Sequence, residues 1–303
     1  MIYTDLPEKA KERKTIVFME DYQLEITKLD KNNKWLDDPS VCVLEYPDED
    51  ISEDYPVLKN ELYLKLKDKG LLNKNEPCVL VQYPYDVNDY TKPNENSLVD
   101  FIYNNAIEKY NIFKKLCASL GATRVVYESD KKESESVSEQ GSSNISTNTD
   151  AKVGIKSFEG GGSYGTNSVF NSEINSKIKN TLSMKAESKF KGSDTPQIEK
   201  AKQLLEDKNL GSDTHLQSLI DLRSDEDMRI VEEKISLSMT SDSMMSLKTA
   251  AQLEKTISAS LSFGFGLVKG EGNRETKEET TYSGTLESIQ DISVIFLVEF
   301  GLG

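Results

Sequence analysis

From Ile174 to Phe190 the even positions read Ile, Ser, Ile, Asn, Leu, Met, Ala, Ser, Phe, and the odd positions read Asn, Lys, Lys, Thr, Ser, Lys, Glu, Lys. From Ile257 to Leu267 the odd positions read Ile, Ala, Leu, Phe, Phe, Leu, and only Ser and Gly stand between them. A two-residue alternation is the period of a strand, and these runs exceed the mean strand of ~5–6 residues. Such segments predict long two-faced ribbons. The first can also be read as a helix, because Ile174, Ile178, Leu182 and Ala186 recur every fourth residue. The second makes a poor helix on paper, since Gly and Ser are weak helix formers.

The rest of the second half fits an antiparallel sheet. Ile235, Leu237 and Met239 alternate, Lys269–Arg274 reads as a turn, and Glu275–Leu286 as a polar return strand. Ile292–Phe300 is apolar on both faces, which predicts a central strand. Thr195 and Pro196 open a helical pattern, and a second short helix covers His215–Arg223. Gly160, Gly161 and Gly162, with Gly270 and Gly272, are the expected turns or hinges. Ser129–Thr149 is serine-rich and nearly devoid of bulky apolar side chains, readable as disorder or as a solvated edge strand.

The first half reads differently. Thr15–Leu29 has strand character, and Ser40–Tyr46 and Cys78–Tyr83 are short apolar runs expected as buried strands. Tyr55–Gly70 reads as helix or strand, stopped by Gly70. The clearest helix is Ser97–Leu120, with Ser97 as N-cap, an apolar stripe from Leu98 to Leu120, and Gly121 just past its end. Ala122–Glu128 follows as a strand. The expected fold is therefore α+β: an N-terminal mixed α/β domain at 1–128, then an antiparallel Ser/Gly-rich β domain at 129–303. The second has long amphipathic strands and a helical insert at about 195–223.

Composition narrows the function. The chain has 37 basic and 52 acidic residues, a net charge of −15. Phosphate backbones are repelled by that charge, so nucleic acid is not an expected partner. An anionic bilayer is repelled too, unless a local basic patch intervenes. No N-terminal leader pattern is visible. The three cysteines, Cys42, Cys78 and Cys117, are odd in number and set in apolar contexts, which predicts reduced core thiols and a cytoplasmic location. No C-x-x-C motif, phosphate loop, zinc signature or nucleophile elbow occurs. His215 is the only imidazole, so any Ser–His or Cys–His pair would have to use it. The acidic runs at Asp48–Asp54, Asp37–Asp38 and Asp225–Asp227 lack calcium-loop spacing and read as solvated loops. Trp35 and the tyrosines of Tyr83–Tyr90 offer either a recognition surface or packing at a sheet edge. No catalytic residue, metal ligand or cofactor is expected.

Three functions follow as expectations. The first is a non-enzymatic binding or self-assembly protein, whose amphipathic β domain meets a protein partner or another copy of itself. The second is a β-pore-forming protein that inserts its alternating strands, since ~9–11 residues with one apolar face span a bilayer. In style these segments resemble the Ser/Thr-rich insertion hairpins of β-pore-forming toxins, and segments readable both as helix and as strand are what a refolding hairpin requires. Glu275, Lys277, Glu278 and Glu279 in the return arm, and Ser176, Asn180 and Ser188 on the apolar face of the first ribbon, count against it. The third is a carboxylate-dependent hydrolase, which 52 acidic residues always permit. The assembly or membrane face is assigned to Ile257, Leu261, Phe263, Phe265 and Leu267, with Ile174, Ile178 and Leu182. The first two functions assume extended ribbons; helix over 175–191 and 256–268 would remove both together.

Overall fold

The computed structural model describes residues 2–29, 34–47, 56–73, 76–92, 95–128, 164–225, 230–264 and 291–301. The N-terminal sheet contains β1 (Ile2–Tyr3), β2 (Thr15–Met19), β3 (Val41–Glu45), β4 (Cys78–Tyr83) and β5 (Asp86–Thr91), in the order β1-β3-β2-β4-β5. β3 is parallel to β1 and β2, whereas β4 is antiparallel to β2 and β5. The central strands are mostly apolar on both faces, with Thr15, Glu45 and Gln82 toward their ends, because both faces are covered. Successive side chains point to opposite faces. Ile16, Phe18, Cys42, Leu44 and Leu80 therefore meet Tyr63 and Leu66 of α2 (Glu61–Asp68). Val17, Val43, Val79 and Val81 enter the larger core on the other face, the side of α1 (Asp21–Leu29).

The second sheet contains β6 (Ala122–Glu128), β7 (Glu187–Lys189), β8 (Glu232–Ser238) and β9 (Ser293–Phe300). Its order is β7-β6-β9-β8, antiparallel throughout. The central strand predicted at Ile292–Phe300 is β9, and its inward Phe296 stacks on Tyr110 at 5.5 Å and meets Phe113 at 4.9 Å. Both partners come from α3 (Glu95–Ser119), which lays its apolar stripe on this sheet. Gly121 ends α3 at φ +86°, the left-handed conformation that glycine tolerates best. The helical insert is α5 (Ile198–Asp207) and α6 (Thr214–Ser224).

Several expectations are corrected. The ribbon predicted over Ile174–Phe190 is α4 (Tyr164–Met184) followed by the three residues of β7. The strand predicted over Ile257–Leu267 falls in α7 (Ser241–Gly264) as far as that helix extends. Burial explains the outcome. Ile174, Ile178 and Leu182 are buried against the core, while Ser176, Asn180 and Met184, which a strand would place beside them, are exposed. In α7, Leu247, Leu253 and Ile257 are buried, whereas Met245 on the same strand face is 66% exposed. The four-residue spacing decided α4, and the three- and four-residue steps through Met244, Leu247, Ala250, Ala251, Leu253 and Ile257 decided α7, once a surface was available to cover one helical stripe. Smaller corrections apply elsewhere. Thr15–Leu29 divides into β2 and α1. α3 begins at Glu95, so Ser97 lies inside the helix. α5 begins at Ile198 with Gln197 as its cap, not at Pro196. Ser129–Thr149, Lys269–Arg274 and Glu275–Leu286 lie outside the described residues.

Candidate functional site

α4 and α7 occupy equivalent places. β6 and β7 are adjacent antiparallel neighbours, and the chain between them, 129–186, contains α4. β8 and β9 are likewise adjacent, and the chain between them, 239–292, contains α7. Glu128 pairs with Ile295, and Ser238 with Ser293. Both connections thus leave from the same end of the sheet, as the tips of two neighbouring hairpins. Each helix is joined directly to a strand: α4 reaches β7 through Lys185 and Ala186, and β8 reaches α7 through Met239 and Thr240.

The ladders continue past the strand ends. Tyr127 N donates to Ala186 O at 2.9 Å, and Met239 N donates to Ile292 O at 2.8 Å. Asp291 closes the second base: its Oδ1 accepts from Ser238 Oγ at 2.7 Å and from Thr240 Oγ1 at 2.9 Å. Thr240 Oγ1 in turn accepts from Ile292 N at 2.9 Å.

α7 is held against the N-terminal sheet. It packs on β4, α1 and α3, with Met244, Leu247, Leu253 and Ile257 in the shared core. Its first turn is fastened by charge. Lys109 of α3 is 3% exposed and places Nζ 3.1 Å from Asp242 Oδ2 and 3.2 Å from Asp213 Oδ2. Tyr85, in the turn between β4 and β5, donates its hydroxyl to the same Asp242 oxygen at 2.8 Å. Burial, then the neighbouring Asp242, pushes the Tyr85 phenol above its ordinary range, so it stays a protonated donor. Asp213 uses its other oxygen to cap α6, accepting from His215 N and Leu216 N at 3.1 and 3.3 Å. A polar cavity of about 440 Å³ adjoins this cluster, lined in part by Lys109, Asp213, His215, Ser238, Ser241 and Asp242.

The residues assigned to the assembly or membrane face separate. Ile174, Ile178 and Leu182 are buried in α4, and Ile257 in α7. Leu261 is half-buried on the same core, and Phe263 lies in the last turn of α7. Phe265, Leu267 and the hinge candidates Gly160, Gly161, Gly162, Gly270 and Gly272 lie outside the described residues, as does the acidic run from Asp48 to Asp54. The tyrosines of Tyr83–Tyr90 do not form a surface. Tyr85 and Tyr90 are buried, Tyr90 receiving Arg13 Nη1 at 2.8 Å, and Tyr83 is half-buried against Phe101. Asp38 accepts from Ser40 N and Oγ, which holds its carboxyl below the usual range as part of a turn. All three cysteines are buried and free. His215 has an exposed side chain.

Lys109, Asp213, Asp242 and Tyr85 were not singled out by the sequence reading. Only Asp213 carries a local signal, as a helix N-cap. Among the described residues, no group of three or more His, Cys, Asp or Glu could hold a metal ion, and no helix is long and apolar enough to cross a membrane. No family model matches the chain, and no curated protein or solved structure matches it.

Proposed function

We propose that this chain is a self-assembling, membrane-inserting protein in which α4 and α7 unwind and extend the two hairpins of the second sheet into a bilayer. α4 and α7 are helices, not the extended ribbons expected from sequence. One observation carries it: both helices sit at the tips of adjacent antiparallel strand pairs, at the same end of one sheet, and both have sequences that also alternate as strands.

Unwinding would lengthen ladders that already exist at Tyr127–Ala186 and Met239–Ile292, so the bases need not move. A spanning strand needs ~9–11 residues. Ile257–Leu267 meets this with an uninterrupted apolar face, and Ile178–Ala186 with Asn180 as its one polar member. In the polar return arm Glu275, Lys277 and Glu279 share one face, where they would line water, and Glu278 is the exception that costs energy. Two hairpins give four strands, too few for a closed barrel, since known barrels begin at ~8. Several copies are therefore required.

The test is liposome co-sedimentation with dye release, run beside a size measurement. Release together with a defined oligomer supports the proposal. A defined oligomer that never causes release favours the plain binding or self-assembly reading. Neither release nor assembly removes both.

A further inference from the structure

We infer that copies of the chain join head to tail through the two outer edges of the second sheet, β7 of one copy beside β8 of the next, in a register set by charge. The inference deepens the assembly reading above and rests on it. Among the described residues, no strand pairs with the outer edge of β7 or of β8.

Strand direction permits the junction. Along the order β7-β6-β9-β8 the directions alternate, so the two edge strands run oppositely. Setting β7 beside the β8 of an identically oriented copy makes an antiparallel pair. Every further copy repeats the alternation and keeps all the hairpin tips at one end.

The pairings within the sheet define its rows. Lys189, Arg124, Glu299 and Glu232 form one row, Ser188, Val125, Val298 and Glu233 the next, and Glu187, Val126, Leu297 and Lys234 the third. The first and third rows lie on the face away from the core, where Lys189, Glu187, Glu232 and Lys234 are exposed. If rows continue unbroken into the next copy, Lys189 stands opposite Glu232 and Glu187 opposite Lys234. Both cross-strand pairs are then oppositely charged.

Other registers are worse. A slip of one residue turns side chains to the wrong face. A slip of two residues in one direction sets Lys189 opposite Lys234. The opposite slip sets Glu187 opposite Glu232 and Lys185 opposite Lys234. Charges on an edge strand ordinarily repel other sheets. Here their order favours this register over the two nearest in-face slips, which is how specificity against alternatives is built.

The test uses the full chain with single added cysteines, the native three being buried. Lys189→Cys is mixed with Glu232→Cys under mild oxidation, in solution and on phosphatidylcholine–phosphatidylserine vesicles, and disulfide-linked dimers are counted. Lys189→Cys mixed with Lys234→Cys is the two-residue slip. The expected result is efficient linkage in the first mixture and several-fold less in the second. Equal or greater linkage in the second mixture, or none in either, overturns the inference. A charge test runs alongside: Lys189→Glu and Glu232→Lys each reduce oligomer yield, and the double variant recovers it. Dye release without linkage would overturn this interface while leaving the insertion reading intact; linkage without dye release would do the reverse.

Discussion

Lys109 Nζ lies 3.1 Å from Asp242 Oδ2, joining the middle of α3 to the first turn of α7 across 133 positions of sequence. The ammonium is almost wholly buried and answers two carboxylates, Asp242 and Asp213. The same Asp242 oxygen receives the Tyr85 hydroxyl from the N-terminal sheet. The contact therefore ties the helix that would insert to α3 and to the N-terminal sheet it packs on. Restraint of α7 rests on this cluster and on the apolar packing of Leu247, Leu253 and Ile257.

Asp242→Asn should loosen that restraint. It removes one charge partner of a buried lysine and an acidic group from a helix N-terminus. A hydrogen bond to a charged group contributes ~1.5–3 kcal/mol. Asp242 is 38% exposed on its side chain, so solvent screening puts the loss at the lower end. Hydrogen exchange over residues 241–261 is expected to quicken in the absence of any membrane, and dye release from liposomes to start sooner. Unchanged exchange in α7 would show that apolar packing alone holds the helix.

Gly121→Ala tests the joint between α3 and β6. At φ +86° a side chain is strained, and an added Cβ would lie 2.1 Å from Ser193 O. Backbone at that site cannot yield as a flexible side chain could. The expected cost is more than about 2 kcal/mol, combining left-handed strain with the clash. Urea unfolding measures it, and a midpoint equal to that of the unmodified chain would contradict the close approach of 193 to 121.

Much of the scaffold was legible because its signals were local. β9 announced itself by an apolar run, α3 by a long stripe closed with Gly121, and α6 by the apolar spacing of Leu216, Leu219, Ile220 and Leu222. α4 and α7 were read in the wrong conformation for a specific reason. Four is a multiple of two, so Ile174, Ile178 and Leu182 satisfy strand and helix periods together. The tie is broken by what lies opposite, α3 for one and β4 with α1 for the other, and neither neighbour is visible along the chain. The Lys109–Asp242–Tyr85 cluster was illegible for the same cause. Its members are common residues with no motif, brought together only by packing.

The cysteines give a pH prediction. Burial pushes the Cys42 thiol up to about 12 and the Cys78 thiol up to about 11, and raises Cys117 as well. An unfolded thiol titrates near ~8.5. Between that value and the raised folded values, the unfolded chain binds fewer protons than the native one, so stability falls as pH rises. Below about pH 8 the thiols are protonated in both states and the contribution is fully present. Native protein at pH 8 should resist iodoacetamide, and all three cysteines should react in urea. Urea midpoints from pH 8 to pH 10.5 should decline, and replacing Cys42 with Ala should flatten that decline, whatever the cost of the cavity it leaves. Rapid native labelling at pH 8 would show that at least one thiol is not enclosed as described.

Phe263→Asp and Phe265→Asp separate insertion from assembly. Both phenylalanines stand on the apolar side of the Ile257–Leu267 alternation. In a lipid-facing strand near the bilayer midplane, a charged substitution is unfavourable by up to ~2–4 kcal/mol for the basic residues and less for Asp. Two per copy multiply across a ring. The double variant should abolish dye release. The edges Lys189–Glu232 and Glu187–Lys234 are untouched, so its ring should still form on vesicles and halt before penetration. Co-sedimentation and disulfide trapping at the edges would read the arrested ring, and a protease ladder would report whether 241–264 has left its seat. A double variant that folds and releases dye at the full rate would remove this face from any part in membrane entry.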